Sequence, residues 1–261
     1  MRWPSSRAGR GVLGEGEAGQ VPRKRDVLRD RALRYMAVPL SVRTSDLPVR
    51  VASALVMLAV AGLAAWLDGL WFDLFVGAVA AASLFEFSRL VWRGAESPLW
   101  RIAGLIFGLV YIAAAASILM SFPIAVVLGV LAVVIATDTG AYFSGRSIGG
   151  PKIAPSISPS KTWAGLFGGM TAAGLVSLGF FYSNVGERAF SPMGLGAVAV
   201  GAGLAILAQC GDFFESWLKR RARMKDSSNL IPGHGGVLDR LDGVVPVAPA
   251  VALVLAARMA A

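Results

Sequence analysis

The sequence predicts an all-α integral membrane protein, a bundle of about seven transmembrane helices with two polar loops in the cytosol. Three observations predict it. Of 261 residues, 56% are hydrophobic and only 16% charged, against about 25% charged in an ordinary soluble domain. The apolar residues come in long runs, each near the length of about 20 residues that spans a bilayer core. The cations are sorted: with the N-terminus placed inside, 23 of the 25 Lys and Arg fall on one side, the charge bias that sets membrane orientation.

The chain opens with a tail, residues 1–48, that is basic, rich in Gly and short of apolar residues. Such a segment cannot bury enough surface to order itself, so disorder is expected. The first apolar run lies too deep for a cleaved signal peptide. Met36 stands just before that run and is expected to be the natural start. Residues 49–261 form the transmembrane domain.

Seven apolar segments follow, at roughly 52–67, 71–92, 102–120, 123–143, 163–182, 192–212 and 243–260. The 31 glycines and many alanines suit close helix packing in lipid. The net charge of +9 could suggest nucleic acid. Its confinement to the tail and loops fits membrane topology instead, so no nucleic-acid partner is expected. The single Cys210 excludes an intrachain disulfide and reads as a small buried hydrophobe. A homodimer is one assembly open to such a bundle.

Two polar regions carry chemistry. In "TDTGAYFSGRSIGGPKIAPSISPSKTWAG", residues 137–165, Asp138 ends an apolar run, and Pro151, Pro155 and Pro159 prevent a continuous helix. Arg146, Lys152 and Lys161 bring positive charge, and Ser158, Ser160 and Thr162 bring hydroxyls. Ser160 is the expected cap of a helix starting near Trp163. Free amides at a helix start, beside lysine, suit a phosphate.

The second region is residues 209–243, "QCGDFFESWLKRRARMKDSSNLIPGHGGVLDRLDG". If the sixth helix continues past the membrane, Asp212, Ser216, Lys219 and Arg223 fall within about 60° of one another. That stripe holds an acid at the membrane edge, then a hydroxyl, then two cations. Pro232, Gly233, Gly235 and Gly236 then break the helix and allow close backbone approach. Asp239 and Asp242 stand i and i+3 at the start of the last span, where two carboxylates call for a cation such as Mg²⁺. His234, the only histidine, is weak evidence by itself. These residues point to a metal-and-phosphate site at the bilayer surface and do not name the substrate.

The run Ser216–Asp242 resembles the signature of phosphatidate cytidylyltransferases: S-x-x-K-R, K-D, P-x-H-G-G and D-R-x-D, in that order and spacing. "DTGAYFSGR", "SPSKTWAG" and "GDFFES" look like the same family, and "LFEFSRL" at 84–90 more loosely. Ala164 and Thr137 stand where the family often has Glu and another small polar residue. The resemblance covers about Val51 onward. It implies an Mg²⁺-dependent membrane enzyme that joins CTP to phosphatidic acid, giving CDP-diacylglycerol and pyrophosphate for phospholipid synthesis. It would be a multi-pass protein of the cell (inner) membrane, with its N-terminus and active site cytosolic.

The site residues follow from that resemblance. Asp212 and Asp239 are assigned to metal, with Asp242 in support. Lys219, Ser216 and His234 join Asp212 and Asp239 as catalytic candidates. Lys161, Arg220, Arg240, Arg146, Ser158 and Lys225 are assigned to substrate. The nearest alternative is a CTP-dependent polyprenol or phytol kinase, which would release CDP. A transporter would instead need polar residues through several spans, and Glu86 is the main interior acid. A non-catalytic scaffold would have no use for the full set of acids and lysines.

Overall fold

A computed structural model describes residues 47–260. The expected tail disorder and the expected start at Met36 concern residues outside that range. Seven helices follow in order: α1 (Leu47–Leu67), α2 (Gly69–Gly94), α3 (Pro98–Ser121), α4 (Ile124–Ser147), α5 (Trp163–Val185), α6 (Pro192–Arg221) and α7 (Val244–Ala260). Among the described residues, six helices are long and apolar enough to cross a membrane, and α7, with 17 residues, is the shorter apolar one. Six of the expected seven spans thus reach that length, and the seventh apolar segment forms the shorter helix α7.

Each break has a local cause. Asp68 and Gly69 take positive φ (53° and 51°), which turns the chain sharply between α1 and α2. Ser97 caps α3, its hydroxyl accepting from Trp100 N–H at 3.4 Å, with Pro98 at the first helical position. Pro123 separates α3 from α4, and Gly149 and Gly150, both at positive φ, close α4. The expected loop after α4 is shorter than the sequence suggests, because α4 runs on to Ser147 and takes Arg146 with it. A two-stranded antiparallel hairpin then follows, β1 (Lys152–Ala154) and β2 (Ser158–Thr162). Alternating prolines hid it, since they exclude helix without announcing a strand. The α5 cap is Thr162 rather than Ser160: its hydroxyl accepts from Gly165 N–H at 3.0 Å.

Glycine sets the central packing. A Cβ at Gly140 of α4 would lie 2.6 Å from the Gly168 carbonyl of α5, so these backbones touch almost directly. Gly140→Val should lower the thermal stability of the purified protein by about 1–3 kcal/mol or more, the usual cost of overpacking. An unchanged melting curve in detergent would contradict this packing.

Val130, Val133, Val134, Ala173, Leu204, Ala205, Ala208 and Val247 form the core between α4, α5, α6 and α7. A second core joins Phe87, Leu90 and Val91 of α2 to Ile112 of α3, Leu218 of α6 and Leu238. Outside these cores the helices are lined with exposed Leu58, Trp66, Leu109, Ile135 and Leu253. A surface this apolar over whole helices is what lipid contact requires. Cys210 is exposed on α6, not buried as expected, because its face of the helix points out of the bundle.

Candidate active site

One end of the bundle gathers the polar residues. A cavity of about 670 Å³ is lined by Asp138, Tyr142 and Arg146 of α4, by Lys152, Ser160, Lys161 and Thr162 of the hairpin, and by Gln209, Asp212 and Lys219 of α6. Asp239 and Asp242 close it from the segment before α7. Residues 70 and more apart in sequence thus share one wall, because α4, α5, α6 and α7 all present the same end there.

The acids and lysines are paired. Lys161 meets Asp212 at 2.5 Å, tying the hairpin to α6. Lys219 lies between two carboxylates, 2.8 Å from Asp239 Oδ1 and 3.3 Å from Glu215 Oε2. Ser216 Oγ donates to Asp212 Oδ1 at 3.2 Å, which fixes the carboxylate on the cavity side of α6. Helical spacing explains the Asp212–Ser216 and Glu215–Lys219 contacts, both i to i+4.

Asp239 is held by protein donors on both oxygens. Besides Lys219, the N–H of Gly236 donates to Oδ2 at 2.8 Å and that of Ser227 at 3.0 Å. Burial alone would raise its pKa, but the neighbouring Glu215 side chain, Lys219 and the Gly236 N–H hold the carboxyl well below the usual carboxylate range. Asp242 behaves oppositely. Burial, and then the charge of Asp212, push it up to about 7, although its Oδ1 accepts from Gly243 N–H at 2.8 Å.

These opposite shifts predict a pH profile. Asp242, with its folded pKa raised, destabilises the fold progressively as pH rises from about 4 towards about 7, because the folded state holds a proton the unfolded chain releases. Asp239, with its pKa lowered, contributes stability above about pH 4 that is lost on acidification below it. Melting curves in chelator should therefore show stability falling between pH 4 and 7, and Asp242→Asn should flatten that decline. A profile unaltered by Asp242→Asn would show that its burial is not felt as a charge penalty.

Several expected residues stand elsewhere. Arg223 does not extend the α6 stripe: the helix ends at Arg221 and Arg223 turns out at φ 55°. Asp239 lies in a 3₁₀ turn, Leu238–Arg240, and Asp242 precedes α7, so the two do not share one helix face. His234 does not line the cavity; its Nδ1 lies 2.8 Å from Ser53 Oγ of α1. The Arg240 guanidinium donates to the His234 carbonyl at 2.6 Å and also stays outside the lining. Arg220 donates to the Ile157 carbonyl at 3.4 Å, bracing the hairpin. Ser158 is buried within β2, and Lys225 is exposed away from the cavity. Arg146 does line it, with a hydrogen bond to the Tyr142 hydroxyl at 3.3 Å.

Other residues join the site that the sequence did not single out. Glu215 is 3% exposed beside Lys219, and neither of its oxygens accepts an aligned hydrogen bond. Gln209 is 4% exposed, lines the cavity and has an unpartnered amide nitrogen. Asp138, which the sequence did single out, faces the cavity together with Asp212, Asp239 and Asp242. The signal for Glu215 was its place one turn before Lys219; nothing in spacing alone marked Gln209.

Among the described residues, no three His, Cys, Asp or Glu side chains converge tightly enough to cage a metal unaided. The donor chemistry still fits Mg²⁺, which binds through one or two carboxylates and completes its shell with water and phosphate oxygens. Asp212, Asp239 and Asp242 line the cavity, and Asp239 is already engaged by Lys219 and two backbone amides. Asp242, pushed up by burial and then by the charge of Asp212, marks a point where further negative charge is costly and a cation would offset it.

Comparison with known proteins finds similar sequences. Residues 91–257 match a family model described as "Cytidylyltransferase family". A phosphatidate cytidylyltransferase of Brucella suis is 34% identical over 252 residues, covering 78% of this chain and 91% of that protein. One of Pseudomonas aeruginosa is 31% identical over 265 residues, covering 79% and 96%. One of Rickettsia bellii is 43% identical over a shorter stretch of 119 residues.

Proposed function

The chain belongs to the cytidylyltransferase family, and from that premise we propose that it transfers the cytidylyl group of CTP to phosphatidic acid, releasing CDP-diacylglycerol and pyrophosphate. The observation that carries the reading is the single cavity in which Lys161, Lys219, Arg146 and Lys152 face Asp138, Asp212 and Asp242 at one end of apolar helices. A lipid phosphate stays at the bilayer boundary and a nucleotide cannot enter the bilayer. A site at the ends of the spans meets both.

The phosphatidate phosphate is already anionic, so no strong base is required. An oxygen of that phosphate attacks the α-phosphorus of CTP, and the bond to the β-phosphate breaks. The work of the protein is to hold two polyanions in line and to balance charge as pyrophosphate leaves. Lys161 and Lys219 are the nearest cations to the acids and are placed to hold phosphate oxygens, with Arg146 and Lys152 at the cavity wall. A bound Mg²⁺ would supply charge neutralisation at the phosphates, held by Asp212 and Asp242. Asp239, engaged by Lys219 and two backbone amides, serves by fixing the 227–239 segment and the position of Lys219. His234, Arg240 and Arg220 act in this reading by bracing the loops around the cavity, and Ser158 and Lys225 take no part in it.

We place this face in the cytosol, in the cell membrane, because of the sorted Lys and Arg. The test is the purified protein with phosphatidic acid, CTP and Mg²⁺. Pyrophosphate and CDP-diacylglycerol should appear together, and Mg²⁺ removal should stop both. Release of CDP with a phosphorylated lipid would identify a kinase and overturn the reading.

A further inference from the structure

Glu86 of α2 is fully buried, with 0% exposure, and has no cation within ion-pair distance among the described residues. A buried carboxylate without a cation is costly unless hydrogen bonds saturate it. Here they do. The Ser227 hydroxyl (2.9 Å) and the Leu238 N–H (2.8 Å) donate to Oε2. The Ser228 hydroxyl (2.5 Å) and the Val237 N–H (3.1 Å) donate to Oε1. Four donors fill the acceptor positions of one carboxylate.

All four donors belong to the segment that carries Asp239. The N–H of Ser227, whose hydroxyl holds Glu86, donates to Asp239 Oδ2 at 3.0 Å. Gly236, which also donates to Asp239, has no room for a side chain: its Cβ would lie 2.5 Å from Glu86 Oε2 and collide with Ser227 Oγ. Ser53 of α1 braces the same segment, 2.9 Å from the Pro232 carbonyl. We infer that Glu86 is a positioning residue: from the second helix it sets the conformation of residues 227–239 and thereby the place of Asp239 and Lys219 in the cavity. It lies upstream of the residues matched by the family model, 91–257. The N-terminal helices are therefore part of the machinery that shapes the site, not only of its membrane anchor.

The structural half of this inference stands apart from the proposed reaction, and only its kinetic half rests on it. Glu86→Gln keeps the shape but leaves one acceptor oxygen and sets an amide donor against four donors. Hydrogen exchange of the full-length protein in detergent should show protection of residues 226–242 falling at least tenfold in Glu86→Gln, with α3 to α6 unchanged. With CTP and phosphatidic acid, kcat should fall at least 30-fold while the KM for CTP moves less than threefold, the pattern of lost transition-state positioning. Glu86→Asp, which keeps a carboxylate, should recover at least a third of the lost kcat. Ser227→Ala/Ser228→Ala removes two donors without touching the acid and should loosen the same segment more mildly, by threefold or more. Unchanged exchange at 226–242 in both variants would overturn the inference. If Glu86→Gln fails to fold, the double serine variant decides: selective loosening of 226–242 supports the inference, and wild-type protection overturns it. A wild-type protein inactive with CTP and phosphatidic acid would sink the proposed reaction and leave the exchange result standing.

Discussion

Asp212→Asn is expected to leave a protein that inserts and folds but turns over at least about 10³-fold more slowly. Charge stabilisation through a bound metal is worth several kcal/mol, and each 1.36 kcal/mol is about tenfold in rate. Stability should hardly change. The Lys161–Asp212 pair is about a quarter exposed on each side, so its loss costs little. Removing one of the cavity's acids also relieves its repulsion with Asp242. The two effects oppose each other, and the melting temperature should stay within about 2–4 °C of wild type, the change that about 1 kcal/mol produces in a chain of this size. Mg²⁺ should raise the melting temperature of the wild type and not of the variant, a readout independent of turnover. Activity within tenfold of wild type would remove Asp212 from the metal assignment.

Lys219→Met is the second large effect, and it differs in kind. Lys219 neutralises both Asp239 and Glu215, whose side chains are 10% and 4% exposed. Removing the cation leaves two buried carboxylates facing each other without it, and breaking a buried pair in this way costs about 3–5 kcal/mol. Turnover should fall at least about 10³-fold as a phosphate-holding cation is lost. Unlike Asp212→Asn, this variant should melt well below wild type. Glu215→Gln placed in the same chain should restore part of the stability by removing one of the stranded charges, but not the activity. A Lys219→Met protein as stable as wild type would show that the two acids do not depend on it.

The contrast between these two lysine–acid pairs shows where reading the sequence stopped. Asp212, Ser216 and Lys219 were legible because helical spacing places them on one face. Their partners were not. Lys161 reaches Asp212 from a hairpin that alternating prolines concealed, and Asp239 reaches Lys219 through a turn no periodicity describes. His234 drew notice as the only histidine, yet it meets Ser53 of α1, outside the cavity. Glu86 was visible as an interior acid, but its purpose depends on four donors more than 140 residues away in sequence.

By itself the sequence determined the helical membrane architecture, the sorting of charge to one end and the residue types at the site. Those properties are local or additive: hydropathy sums along a segment, and helix geometry relates neighbours at fixed spacing. Only the tertiary structure decided that Asp239 is held by lysine and backbone amides, that Glu215 and Gln209 lie buried beside the cavity, and that Glu86 carries the catalytic segment. Hydrogen bonding and desolvation depend on which distant atoms meet, and that is settled when the helices pack.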